Sequence, residues 1–257
     1  MTKKEDIDRL KETARLMRIN ILKMLHCAKS GHTGGSLSAA DILTALYFHV
    51  LRHNPKDSHW PERDRFVLSK GHAAPALYSA LAMCGYFDLA ELMTLRKLNS
   101  SLQGHPDMRK TNGVETSSGS LGQGLSVANG IAMGLRLEGL NANVYVMLGD
   151  GELQEGQVWE AAMTAAHYKL GKVTAIVDNN GLQIDGAVKD IMEIEPLYEK
   201  WKAFGWDVQV IDGHNFEEIM PALESAKTGN VKDKPSVIIA KTIKGKGVSF
   251  FEGVVKY

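Results

Sequence analysis

The second half of the chain alternates short apolar, β-type runs with helical stretches, and that rhythm leaves few folds open. Asn143–Leu148 (Asn-Val-Tyr-Val-Met-Leu) reads as a buried strand, Gln157–Tyr168 as a helix and Val173–Val177 as the next strand. A helix over about Pro196–Phe204, a strand near Trp206–Ile211, a helix near Phe216–Ala226 and a strand at Pro235–Ala240 complete the series. Such alternation implies right-handed crossovers and a parallel sheet covered by helices on both faces, an α/β fold. The chain has 257 residues, 44% of them hydrophobic, which is enough for one large core. No repeat, low-complexity segment or Pro/Ser-rich linker divides it, so residues 1–257 read as a single domain.

The first half is more helical. Ile7, Leu10, Ala14, Met17, Ile21 and Leu25 recur at helical spacing and predict one long helix over roughly residues 3–29. Ser30-Gly31-His32-Thr33-Gly34-Gly35 breaks the pattern, and a second helix is expected from Leu37 to Leu51, closed by Asn54-Pro55. Arg65–Ser69 reads as a short buried strand, followed at once by Gly71-His72 and a helical stretch to about Met83. Asp88 is a suitable N-cap for a short helix ending near Lys97. Residues 99–118 form a polar loop whose length marks it as functional or disordered.

Thirty Lys and Arg balance thirty Asp and Glu, which argues against a whole-surface nucleic-acid binder. No apolar run approaches the roughly 20 residues of a membrane helix. The start, Met1-Thr2-Lys3-Lys4-Glu5-Asp6, lacks the apolar stretch of a secretory signal. Cys27 and Cys84 exclude a disulfide scaffold; both are expected to be buried thiols in a cytoplasmic protein.

The chemistry concentrates at two strand ends. Gly149-Asp150-Gly151 closes one strand and Asp178-Asn179-Asn180 the next. In a parallel sheet those ends lie side by side, on the edge where ligands bind. Asp150 offers a carboxylate oxygen and Asn180 an amide oxygen, donors that suit a hard cation such as Mg²⁺ sharing its shell with phosphates. The two glycines admit close backbone approach, and the helix expected just afterwards would point its positive end at the same spot. Each element alone reads better as a turn or as a loop with Asx chemistry; together, across one strand–helix–strand unit, they favour a metal-bridged diphosphate site. Gly119-Ser120-Leu121-Gly122-Gln123-Gly124 does not fit the G-x-G-x-x-G dinucleotide fingerprint, and no buried strand precedes it.

Three of the nine histidines, His32, His72 and His105, sit in glycine-flanked breaks where backbone can approach a ligand. Imidazole there can donate or accept a proton near neutrality. His26, His49, His53, His59, His167 and His214 read as packing or surface residues. A zinc site from the first three is the weaker reading, since they lack a helical i, i+4 pair and a nearby cysteine. Lys241, Lys244 and Lys246 suit a phosphate contact better than a nucleic-acid patch.

On these residues the sequence resembles the transketolases. Ser30-Gly31-His32, Leu68-Ser69-Lys70-Gly71-His72-Ala73, Gly104-His105-Pro106, Gly119 to Gly124, Gly149-Asp150-Gly151-Glu152-Leu153-Gln154-Glu155-Gly156 and Thr242-Ile243-Lys244-Gly245-Lys246-Gly247 follow that family's order from end to end. The resemblance implies a thiamine diphosphate-binding fold and transfer of a two-carbon ketol unit from a ketose phosphate to an aldose. It implies thiamine diphosphate held through Mg²⁺, for which Ca²⁺ or Mn²⁺ would substitute. The metal ligands would be Asp150, Asn180 and the carbonyl of Leu182. Gly151, His72 and Lys244 would contact the diphosphate, Leu121 and Ile184 the thiazolium ring, and the backbone at Gly119 and Ser120 the aminopyrimidine. His32 and His105 would face sugar oxygens. Glu155 and Glu160 match acidic positions that lie near the family's subunit interface and are thought to communicate between active sites.

The family's catalytic glutamate belongs to a following pyrimidine-binding domain, and a further active-site histidine to a Trp-His-Gly-like loop; no residue here matches either. The expectation is therefore an N-terminal subunit of a two-component enzyme. A partner chain would supply the glutamate and the sugar-phosphate clamp, in a heterotetramer with two copies of each. Two alternatives stay open: a 1-deoxyxylulose-5-phosphate-synthase-like enzyme and a non-catalytic thiamine diphosphate-binding or regulatory module.

Overall fold

A computed structural model describes residues 4–228 and 233–257. Five parallel strands form the central sheet: β1 (Arg65–Leu68), β2 (Val144–Gly149), β3 (Val173–Asn179), β6 (Asp207–Asp212) and β7 (Ser236–Lys241), in the order β1-β2-β3-β7-β6. A two-stranded hairpin, β4 (Leu182–Gln183) and β5 (Gly186–Ala187), follows β3. The helices are α1 (Lys4–Ala28), α2 (Thr33–Ser38), α3 (Ala40–Ala45), α4 (Ala74–Cys84), α5 (Gly124–Leu137), α6 (Gly156–His167), α7 (Val188–Ile191), α8 (Leu197–Ala203) and α9 (Phe216–Thr228).

The side-chain period of two divides the core. Tyr145, Met147, Ile176 and Ile238 point to one face, where residues of α1, α3, α4 and α9 pack on them. Val144, Val146, Leu148, Val173, Ala175, Val177, Val237 and Ile239 point to the other, beneath α5, α6 and α8. Both faces are dry, so the strands read as near-continuous apolar runs rather than as alternation. Leu10, Met17, Ile21 and Met24, on one stripe of α1, are fully buried. Each such side chain contributes about 1.5–3 kcal/mol by leaving water. The α/β expectation and the strand positions hold; position 3, the first of the expected long helix, lies outside the described residues.

Four local features differ from the sequence reading. The second helical segment starts at Thr33, not Leu37, and runs on through a π-type turn at Leu46–Val50. Its poor helix former Gly34 is needed because a Cβ there would stand 2.7 Å from the Tyr257 carbonyl oxygen and 2.6 Å from the Lys244 side chain, while one on Gly35 would press on His72 Nε2 at 3.2 Å. The helix α5, rich in glycine, carries little propensity of its own and forms because Leu125, Ala128, Ala132 and Leu135 pack on the sheet. A 3₁₀ turn, Gly151–Gln154, separates Asp150 from α6, so no helix begins directly at the Gly-Asp-Gly turn. Cys27 is exposed on the solvent side of the last turn of α1 and Cys84 is half-buried, so the two are not buried thiols.

Residues 99–118 contain no helix or strand, yet they are pinned. The Tyr78 hydroxyl donates to the carbonyls of Gln103 and His105 at 2.9 and 3.1 Å, and Thr111 Oγ1 donates to Ser101 O at 2.6 Å. Leu102 and Val114 are buried.

Candidate active site

Parallel strands deliver the loops after β1, β2, β3 and β7 to one edge of the sheet, and there a cleft of about 380 Å³ opens. Gly149, the last residue of β2, pairs with Asp178, one residue before the end of β3, so Asp150 and Asn180 leave the sheet at the same edge. His32, His72, His105, Gly119, Leu121, Asp150, Gly151, Glu155, Asn180, Leu182, Ile184 and Lys244, all singled out from the sequence, line this cleft. Ser120 and Glu160 are exposed and stand outside its lining.

At the floor, Asp150 is buried. Its Oδ1 accepts from Gly151 N at 2.8 Å and its Oδ2 from Gly181 N at 2.5 Å. Among the described residues no side chain donates to it. Burial first, and the nearby Asp178 charge second, push the Asp150 carboxyl up to about 6 despite those two amides. A dry carboxylate lacking a paired cation is costly, and a bound cation relieves it. Asn180 Oδ1, which accepts from Leu182 N at 3.1 Å, extends an all-oxygen donor set of the kind a hard divalent ion takes. These residues fit a metal–diphosphate group.

Beneath the cleft lies a second charged layer. Lys70 and Asp178 are 1% and 0% exposed and form an ion pair. Lys70 Nζ also donates to Gly35 O at 3.0 Å. Asp178 accepts in addition from Ser38 Oγ at 2.6 Å and from Thr242 Oγ1. Burial alone would raise the Asp178 carboxyl, but the Lys70 ammonium and these hydrogen bonds outweigh it and hold it below the ordinary carboxylate range.

The three histidines meet as the sequence suggests. The His32 and His72 rings stand edge to face, with centroids 5.3 Å apart. Among the described residues none of the three rings spends a nitrogen on a hydrogen bond, so all are free for a ligand. Their proton chemistry differs from the expectation. Burial first, then Lys70 and His32, push His72 down to about 3. Burial first, then Arg96, lowers His32 and His105. Burial thus disfavours the cationic form of each ring. Lys244 Nζ donates to Val255 O at 2.7 Å at the rim, and burial, then Lys70, lowers its pKa.

Sequence reasoning missed the groups that hold this edge together. His214, read as a packing residue, joins Asp41 Oδ2 at 2.7 Å through Nδ1 and accepts from Ile243 N at 2.8 Å through Nε2. Arg18 clamps the same Asp41 and reaches Lys246 O at 3.0 Å, so one buried network anchors the loop that carries Lys244. Lys70 and Glu152 were visible only as charges beside Gly-His and Gly-Asp-Gly; burial of flanking apolar residues is the one signal that could have marked them. Ile184 forms, with Asp185, the two-residue turn of the β4–β5 hairpin and is 82% exposed at the lip.

Residues 9–256 match the family model described as transketolase, thiamine diphosphate binding domain. The chain is 49% identical over 244 residues to a 6-deoxy-6-sulfo-D-fructose transketolase subunit of a Clostridium species, covering 95% of this chain and 88% of that protein. It is 45% identical to an apulose-4-phosphate transketolase subunit of Actinobacillus succinogenes, covering 96% of this chain and 88% of that protein. It is 42% identical to human transketolase, of whose length it spans 39%. The crystal structure of Campylobacter jejuni transketolase superposes with a TM-score of 0.90 at 40% identity, over 96% of this chain and 39% of that one.

Proposed function

The chain belongs to the transketolases, through their thiamine diphosphate-binding domain, and from that membership we propose that it is the N-terminal subunit of a two-component transketolase. The relatives it matches over most of their length are named as transketolase subunits, which supports a division of the enzyme between chains. A partner chain supplies the catalytic glutamate and the sugar-phosphate clamp, and the assembly holds two copies of each chain. Residues 1–257 act as one cofactor-binding domain in the cytoplasm; among the described residues no helix is long and apolar enough to cross a membrane.

Bound thiamine diphosphate supplies the carbon nucleophile for exchange of a two-carbon ketol unit between a ketose phosphate and an aldose. Asp150, Asn180 and the Leu182 carbonyl hold Mg²⁺. Gly151, His72 and Lys244 receive the diphosphate, with His72 as a neutral donor and Lys244 as the cation. Leu121 and Ile184 flank the thiazolium ring, and the backbone at Gly119 and Ser120 meets the aminopyrimidine. His32 and His105 orient sugar hydroxyl and carbonyl oxygens by hydrogen bonding. Glu155, at the mouth of the cleft, and Glu160, outside it on α6, face the partner and link the active sites. The chain's own contribution to rate is positioning and a preset electrostatic environment.

The observation that carries this reading is the buried Asp150 carboxylate, met among the described residues only by backbone amides, at the edge where β2 and β3 end. Titration calorimetry with Mg²⁺ and thiamine diphosphate tests it. The parent chain takes up the cofactor, and an Asp150→Ala, Asn180→Ala double variant does not. Equal uptake by both, or none by the parent, refutes the reading.

A further inference from the structure

We infer that Glu152 is a positioning residue that fixes the three cofactor-facing loops of this chain relative to one another; this rests on the thiamine diphosphate reading. Glu152 is 2% exposed and lies two residues beyond Asp150 in the 3₁₀ turn after β2. Its Oε1 accepts from the Ser69 hydroxyl, in the loop after β1, and from Gly122 N at 2.8 Å, in the glycine-rich loop before α5. Its Oε2 accepts from Gly149 N at 3.0 Å, at the end of β2. Ser69 Oγ accepts in turn from Gly124 N at 3.1 Å, at the start of α5. One carboxylate thus joins the Ser69–His72 loop, the Gly119–Gly124 loop and the Gly149–Gly151 turn.

The choice of residue points to placement rather than to bulk stability. Its hydrogen-bond donors are all neutral, and the nearby Lys70 ammonium is paired with Asp178, so this buried carboxylate is an expensive way to fill a core. Its value is geometric, because an ionised carboxyl is acceptor-only and can take donors from several directions at once. An amide of the same shape presents an N–H to at least one of them. The loops also have no slack. A Cβ on Gly71 would lie 2.7 Å from Ser118 Oγ, and one on Gly122 2.8 Å from Glu155 Cβ. A shift of one loop is passed directly to the next. Glu152 lines the cleft, but both of its oxygens are engaged by the loops it joins, so it acts through the residues it holds.

Calorimetric titration of the full chain with Mg²⁺ and thiamine diphosphate, well below its melting temperature, tests this. Glu152→Gln raises the cofactor Kd by about tenfold to a hundredfold, the range seen when groups that orient metal ligands are removed. Ser69→Ala, which leaves the Glu152–Gly149 bond intact, gives a smaller loss. The double variant falls short of the product of the two, because both act on one network. A Kd within about twofold of the parent for Glu152→Gln, with only a lower melting temperature, overturns the inference, as do strictly multiplicative losses; twofold is about 0.4 kcal/mol and lies inside ordinary additivity error. If Glu152→Gln does not fold, Ser69→Ala decides alone, and an unchanged Kd for it is equally refuting. A parent chain that takes up no cofactor overturns instead the reading on which this one rests.

Discussion

Replacing Lys70 by Met separates the charge beneath the cleft from its shape. Methionine nearly matches the lysine stem in volume, so little packing is lost, but Asp178 remains at 0% exposure without its counter-ion. Breaking a buried pair from one side costs about 3–5 kcal/mol, since an uncompensated charge stays inside. The hydroxyls of Ser38 and Thr242 still donate to Asp178, each worth about 1 kcal/mol, which places the expected loss near the lower end. For a chain of this size that is a fall in melting temperature of about 6–12 °C. The pH dependence reverses as well. In the parent, the Asp178 carboxyl lies below its ordinary value, so its stabilisation is present above about pH 4 and is lost as pH falls through the lower folded value. In Lys70→Met, burial outweighs the remaining Ser38 and Thr242 hydroxyls and raises that carboxyl above its unfolded value. The folded variant then binds the proton more tightly, and its deficit shrinks as pH falls from about 7 towards about 4.5. Urea unfolding of both chains across that range measures the difference. A loss under about 1 kcal/mol at pH 7, or a deficit that does not change with pH, refutes the argument that the pair is held by charge in a dry site.

Two further outcomes follow from the same structure. The His72 ring, pushed down to about 3, shows no titration between about pH 5 and 8 by NMR. Because the unfolded ring takes its proton near 6.5, stability falls as pH drops from about 6.5 towards 3; an inflection near 6.5 in the folded chain contradicts its burial. Trp201→Ala opens a void where Trp159, Trp201 and Trp206 pack, with ring centroids 5.3 and 4.9 Å apart, and costs about 3–5 kcal/mol in urea unfolding. A loss below about 1 kcal/mol there means the cluster closes around the gap.

Much of the site is legible from sequence because catalysis gathers chemistry at chain breaks. Gly149-Asp150-Gly151 and Asp178-Asn179-Asn180 stand where apolar runs stop, and a parallel sheet must bring such ends together. His32, His72 and His105 interrupt periodic segments and converge for the same reason. The supports are less legible. Lys70, Glu152 and Asp41 are ionisable residues buried by long-range partners, and apart from the apolar residues flanking Lys70 and Glu152 no local pattern separates them from charges on a solvated surface. The same holds for the ring protonation of His72, which depends on neighbours from three other segments. Helix α5 hides behind its glycines, and the early start of α2 behind Gly34 and Gly35; in both, tertiary packing overrides propensity.

With all five strands running the same way, the molecule has a working end and an idle one. The turn feeding β2 from below, Gly139–Asn141, carries none of the groups discussed above, although Gly139 has a φ of +70° that favours glycine. Exposed turns there can lengthen or accept a fused tag at little chemical risk, so long as the buried Asp64 keeps its bonds from Arg52 N at 2.9 Å and Asn143 N at 2.8 Å. A change of one residue at the opposite rim, Glu152, reaches three loops together.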